Sequence, residues 1–141
     1  AVCFPPPPAT PAYLLDSSAC IPILRNKAGL SKLPSPAKTG IPIIVAAELW
    51  TGVKKNMVTH PQQVAKLQAF LNLFAIPEFD MDAALHYAEI RAELESTGKT
   101  IGPLDLLIAA QARSLGATLV TGNVAEFKRV NGLKVQEWHP A

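Results

Sequence analysis

The chain is predicted to fold as an α/β domain of three layers, a mostly parallel central sheet between two sets of helices. Short apolar runs alternate along it with longer stretches of helical period. The runs lack the polar alternation of a half-exposed sheet and read as strands buried on both faces. Pro, Gly, Ser and Asp punctuate the junctions, so that strand, helix and strand follow one another as right-handed crossovers.

Composition agrees with one such domain. Of 141 residues 49% are hydrophobic and 17% charged, and 13 bases against 11 acids leave a formal charge of +2. That balance excludes a polybasic arm or an acidic tail, though not a charged cleft. Cys3 and Cys20 are too few and too far apart for a Cys-rich metal site, which points to a reducing, cytoplasmic setting. No apolar run approaches the ~20 residues that span a bilayer. The opening AVCFPPPPATPA lacks the basic start and apolar centre of a signal peptide, so export and membrane association are not expected. Residues 1–11 hold five of the 13 prolines and no charge, which favours a flexible proline-rich arm, with a single domain over 12–141.

The first strand is expected at residues 12–16, AYLLD, followed by Ser17 and Ser18 as helix caps and a helix over about 19–26. Residues 27–40, rich in Gly and Pro, read as irregular chain or a brief helix. IPIIV at 41–45 reads as a second buried strand, with Pro42 tolerable only near its start. Ala46 then leads into the helix AELWTGVKK, where Gly52 is expected to permit close helix packing and Trp50 to be core or dimer surface. Pro61 opens another helix through Val64, Leu67 and Phe70, and residues 74–79 read as a short third strand.

Residues 80–97 carry a helical stripe of Met81, Leu85, Ala88 and Ala92, with Arg91 and Glu95 four apart on a wetter face. Gly98 closes that helix. Pro103 begins LDLLIAAQARSL, apolar nearly all round and so packed on two sides, and Gly116 ends it. A strand at 117–121, a helical turn near Phe127 and an edge strand at 133–138 complete the chain.

In a parallel sheet the crossover helices begin at the carboxyl edge of the strands. Asp16 ends the first strand there. Glu48 is expected in the first turn of the helix leaving the second strand. Asp105 opens a helix that must descend the sheet before the strand at 117 climbs back, and Thr121, Gly122 and Asn123 emerge at the same rim. Open α/β sheets place their sites at this edge. Each acid is set among apolar neighbours, where an unpaired carboxylate is costly, and no Arg or Lys in these motifs is placed to neutralise three of them. A divalent cation would. An all-oxygen donor set points to Mg²⁺ or Mn²⁺, since zinc favours His or Cys. A water activated by such an ion can attack phosphorus in line.

The segments LLDSS, AAELWTGV, IGPLDLLIAAQARSLGATLVTGN and EFKRVNGLKVQEW, in that order, resemble the PIN-domain ribonucleases of the VapC toxin type. The resemblance covers nearly everything from Tyr13 to Trp138 and is most specific from Ile101 onward. It implies a three-layer α/β/α PIN-like domain whose acidic cluster binds Mg²⁺ or Mn²⁺ and cleaves RNA, paired with a cognate antitoxin and forming a homodimer. Asp16, Glu48 and Asp105 match the acidic positions of that family, and Ser18 matches a polar position of its first motif. Asn123 stands where many members have a fourth acid. Thr121 is expected to support the cluster, and Arg25, Lys54 and Lys55 to meet RNA phosphates beside it.

Two other readings compete. A nucleophilic Asp16, as in aspartate-based phosphatases, would want another Asp two residues on, where Ser18 stands; a phospho-receiver would want an acidic pair before the first strand ends, and none is there. A binding module that keeps the fold but has lost turnover is suggested by Asn123. His60, His86 and His139 have no mutual spacing suited to a metal or a triad and are given no role.

Overall fold

The computed structural model describes residues 10–140. The expectations for the proline-rich arm at 1–9, Cys3 included, lie outside the described residues. Strand β1 (Tyr13–Leu15) leads into helix α1 (Ser17–Leu24), two 3-10 turns (Leu30–Lys32 and Pro36–Lys38) and β2 (Thr39–Gly40). Helices α2 (Ile43–Lys55), α3 (Gln62–Leu71), α4 (Met81–Ser96) and α5 (Pro103–Leu115) follow, then β3 (Thr118–Thr121), α6 (Val124–Phe127) and β4 (Lys134–Glu137). The strands form a four-stranded sheet in the order β2-β1-β3-β4, parallel at every pairing. This is the predicted α/β class, with β4 on an edge as expected.

The central pair β1 and β3 is buried along nearly its whole length, with Leu14, Leu15, Leu119 and Val120 fully enclosed. Helices α1, α2 and α3 pack on one another, α4 lies along α5, and α2 also touches α5. Helix α5 buries Leu106 and an unbroken run from Ile108 to Ala112, as its all-round apolar sequence predicts. It stops at Gly116, which adopts φ of 65°, a left-handed conformation that costs glycine nothing.

Four local expectations are corrected. The apolar run 41–45 is not a strand: β2 is Thr39–Gly40, and the helix begins at Ile43 with Pro42 as its cap residue. Pro42 cannot donate to a ladder, while Val45, Ala46 and Leu49 stand at helical spacing and are buried together. Tertiary packing here overrides the β preference of Ile and Val. Residues 74–79 contribute one bridge, Gly40 to Ala75, because Gln111 of α5 engages the chain beyond it, donating from Nε2 to the carbonyls of Pro77 (2.7 Å) and Glu78 (3.1 Å).

On α4 the expected stripe faces outward. Met81 and Leu85 are 74% and 56% exposed, and Ala83, Ile90 and Leu94 are the buried residues. Arg91 and Glu95 do pair, at 2.8 Å. Gly52 does not serve close packing either, since a Cβ built there meets nothing within 4 Å. The glycine that does need its missing side chain is Gly40, where a Cβ would come within 3.0 Å of Leu14 and Pro11 and 3.2 Å of the Ala75 carbonyl.

Gly40→Ala is therefore expected to destabilise the fold by about 1–3 kcal/mol through overpacking. Gly52→Ala, in an unobstructed helix interior, is expected to add up to about 1 kcal/mol. Urea denaturation of both variants checks the contrast.

Candidate active site at the carboxyl edge of the sheet

Asp16 follows β1 directly and lies beside the end of β3, its backbone N–H donating to the Val120 carbonyl at 3.3 Å. It is also the N-cap of α1, accepting from the Ala19 N–H at 3.2 Å. The cap is thus Asp16, not Ser17 or Ser18 as the sequence suggested. Ser18 instead donates its hydroxyl to Asp16 Oδ1 at 2.5 Å, and Thr121 donates to Oδ2. The same two hydroxyls accept from the next loop, Ser18 from the Gly122 N–H (2.8 Å) and Thr121 from the Asn123 N–H (2.9 Å). Strand β1, helix α1 and the loop after β3 are tied together through one carboxylate.

Burial dominates the electrostatics of Asp16 and raises its carboxyl pKa, against the opposing effect of the hydroxyl and N–H donors. Glu48 is raised too, first by burial and then by the charge of Asp16. It lies in the second turn of α2, not the first, because the helix starts earlier than expected. Asp105, in the first turn of α5, is pushed up to about 6 by burial, then by a charge and hydrogen bond from Glu126, then by Asp16 and Glu48. The three predicted acids therefore sense one another across the sheet edge.

A fourth carboxylate joins them from a residue that the sequence reading passed over. Glu126, on the single turn α6, accepts from the Gly102 N–H at 2.9 Å and from the Asn123 amide, and it contacts Asp105. The Gly102 N–H above all holds Glu126 below the usual carboxylate range. Asn123 stands where a fourth acid was sought, and it holds Glu126 one helical turn further on. An acid three residues beyond Asn123 was the available signal, since i and i+3 share a helix face.

The donor set suits a hard divalent cation. Glu48 Oε1 is buried without a hydrogen-bond partner, an expensive state for a carboxylate oxygen unless a cation satisfies it. Among the described residues no three acids converge tightly enough to cage an ion on their own. That is compatible with Mg²⁺, which is commonly held by one or two carboxylates and keeps several waters. Asp16, Glu48 and Asp105 are the residues that could contribute to holding it, with Glu126 next to Asp105.

The remaining predicted residues divide. Arg25, past the end of α1, borders a cavity of about 290 Å³ that Glu48 and Ser17 also line. Lys54 and Lys55 sit in the last turn of α2 and do not line it; the Lys54 ammonium lies 5.8 Å from the centre of the Trp50 ring. Trp50 is half-buried against the core, as expected. His86 accepts from Arg113 and His139 pairs with Glu137, both away from the acids. Cys20 is buried beneath Asp16, and burial, then the Asp16 charge, keeps its thiol protonated.

The raised carboxyls carry a signed pH dependence. A carboxyl whose folded pKa exceeds its unfolded value binds more protons when folded, so its contribution to stability is present below the unfolded pKa and lost as pH rises through the folded one. For Asp105 that window runs from about 4 to about 6. With chelator present, the protein is expected to melt higher at pH 5 than at pH 7.5. Asp105→Asn should narrow the difference by a few degrees, as should Mg²⁺ added to the wild type at pH 7.5. Thermal melts across that range measure it.

The PIN domain family matches residues 13–133. Over 129 residues the chain is 33% identical to the tRNA(fMet)-specific endonuclease VapC of Shigella flexneri, covering 89% of this chain and 97% of that one. It is 37% identical over 131 residues to ribonuclease VapC2 of Rickettsia felis, again with 89% and 97% coverage. Among solved structures, VapBC2 of Rickettsia felis bound to a DNA fragment from its promoter aligns with a TM-score of 0.80 at 36% identity, covering 90% of this chain and 98% of that chain. The DNA-bound VapBC of Salmonella typhimurium aligns with a TM-score of 0.84 at 30% identity, covering 92% and 99%. With its acidic sheet edge, its parallel four-stranded sheet and relatives matched almost end to end, the chain belongs to the PIN-domain family, among the VapC ribonucleases.

Proposed function

We propose that this chain is the toxin component of a toxin–antitoxin pair, a cytoplasmic endoribonuclease that hydrolyses RNA phosphodiester bonds with Mg²⁺ or Mn²⁺ held by Asp16, Glu48 and Asp105. The observation that carries the metal requirement is the buried Glu48 Oε1, unpartnered beside two further carboxyls with raised pKa values. Relatives named as ribonucleases and endonucleases support RNA as the substrate, and structures of VapBC complexes support an antitoxin partner. No helix among the described residues is long and apolar enough to cross a membrane.

The bound ion would supply an activated water and neutralise charge developing on the phosphate. The chain's own residues set the geometry. Ser18 and Thr121 each grip one oxygen of Asp16, so its carboxylate cannot rotate. The Gly102 N–H and the Asn123 amide hold Glu126 against Asp105, which keeps that carboxyl at the cluster. Leu15, Leu49 and Leu106, the chain neighbours of Asp16, Glu48 and Asp105, are buried, and the apolar surroundings they provide strengthen charge interactions beside each carboxyl. The exposed apolar pair Met81 and Leu85, four apart on α4, supports a homodimer that would cover them.

Purified protein is expected to cut RNA when Mg²⁺ or Mn²⁺ is added and to stop with chelator. Asp16→Asn and Asp105→Asn should each lower the rate by about 100-fold or more, and wild-type rates in either variant would refute the assignment. Thr121→Val, which removes one grip on Asp16, should cost about 10–100-fold, with Thr121→Ser restoring most of it in the same cleavage assay.

A further inference from the structure

The acidic cluster has the same sign of charge as the phosphates of an RNA strand, so a strand that reaches it needs cations beside it. Of the four arginines, Arg91 and Arg113 are paired with Glu95 and Glu89, and Arg25 borders the cavity of α1, α2 and α3. Arg129, in the turn after α6, is the one next to the acids. Its backbone N–H donates to the Glu126 carbonyl at 3.2 Å, and its guanidinium donates from Nη1 to the Thr100 carbonyl at 3.0 Å. Two residues on from Thr100, the Gly102 N–H donates to the Glu126 side chain. Glu126 and Arg129 therefore grip the same short loop, which leads into α5 and Asp105. That grip fixes where the guanidinium stands.

What holds Arg129 is a neutral carbonyl. Among the described residues no carboxylate lies within ion-pair distance of it, although Glu126 feels its charge. The side chain is exposed, and the bond to Thr100 uses one of the five N–H donors of a guanidinium. An anion can then be taken up with no ion pair to break and with part of the side-chain freedom already lost. Lys99 and Lys128, exposed and next in the chain to Thr100 and Arg129, add two charges at the same corner. Neither has an acidic partner among the described residues.

We propose that Arg129 is a phosphate-binding residue for the RNA strand on the α6 side of the acidic cluster, and that it takes a phosphate neighbouring the one that is cut. This rests on the nuclease reading for its substrate class. A planar guanidinium fork matches two oxygens of one phosphate, and its tie to the loop before Asp105 keeps it in register with the acids. A strand presents a row of anions, one at the acids and others at the three cations. A lone carboxylate from a protein would use one cation and leave the others without a role.

The test is a titration of the full chain, in chelator and at low salt, with a single-stranded RNA octamer and with versions in which one phosphate at a time is a neutral methylphosphonate. The wild type is expected to lose affinity about tenfold at one position or two adjacent ones. Arg129→Gln keeps a donor for the Thr100 carbonyl and removes the charge. It should melt within a few degrees of the wild type, bind the unmodified octamer about tenfold more weakly and ignore the methylphosphonate that harms the wild type. Its slope of log affinity against log salt should fall by about 0.7, and Arg129→Lys should restore that slope but only part of the affinity. An unchanged slope in Arg129→Gln, methylphosphonate penalties equal to those of the wild type, or no octamer binding by the wild type would each overturn the contact. So would an acidic octapeptide that displaces the octamer as well as unlabelled RNA does. If the wild type shows the position-specific penalty and Arg129→Gln loses it, but RNA survives with Mg²⁺ and Mn²⁺, the nuclease reading fails and the contact stands. If RNA is cut while Arg129→Gln binds it as the wild type does, the contact fails and the nuclease reading stands.

Discussion

Everything at the sheet edge depends on the grip that two hydroxyls and one backbone N–H exert on the Asp16 carboxylate. Burial makes that carboxylate costly, and its donors offset part of the cost. Because Ser18 and Thr121 also accept hydrogen bonds from Gly122 and Asn123, the group that is hardest to bury also joins β1, α1 and the loop after β3. The local structure and the site are the same set of bonds here. A loosened Asp16 would disturb the packing of two strands as well as the donor it presents.

Around that anchor the acids are crowded with little to neutralise them. Asp105 and Glu126 share a hydrogen bond, and their pKa values move in opposite directions. Burial and the Glu126 charge raise Asp105, while the Gly102 N–H and the Asn123 amide lower Glu126. Glu48 adds a buried oxygen with no partner at all. A fold that keeps this arrangement accepts instability near neutral pH unless a cation enters, which couples metal affinity to folding. The near-zero formal charge of the chain hides this local concentration, with Arg25 and Lys66 standing across the adjacent cavity.

Much of this was legible along the chain, for reasons that concern local chemistry. Asp16 at the end of an apolar run, Pro103 opening an apolar helix and Gly116 closing it each act through near neighbours, and each stands in the structure as expected. Where the expectations failed, distant contacts had decided. Ile41, Ile43, Ile44 and Val45 have strand preferences, but the spacing of Val45, Ala46 and Leu49 against α1 and α3 makes the run helical. That moves Glu48 to the second turn of α2 without removing it from the acids. Met81 and Leu85 looked like a core stripe because periodicity records which residues share a face and does not record which way the face points.

The sequence by itself determined the class of fold, the order of its elements and the three acids that a parallel sheet must bring to one edge, because strand direction and helix starts follow from local punctuation. Tertiary structure alone decided which donors hold Asp16, that Glu126 completes the cluster through Gly102 and Asn123, and that Gly52 borders a cavity instead of closing a helix contact. The Thr121 bond to Asp16 and the Gly102 bond to Glu126 span 105 and 24 residues of chain, while the Ser18 and Asn123 bonds close locally once those contacts are in place. No local pattern encodes such distances, since hydrogen bonding and burial are settled only when the layers close.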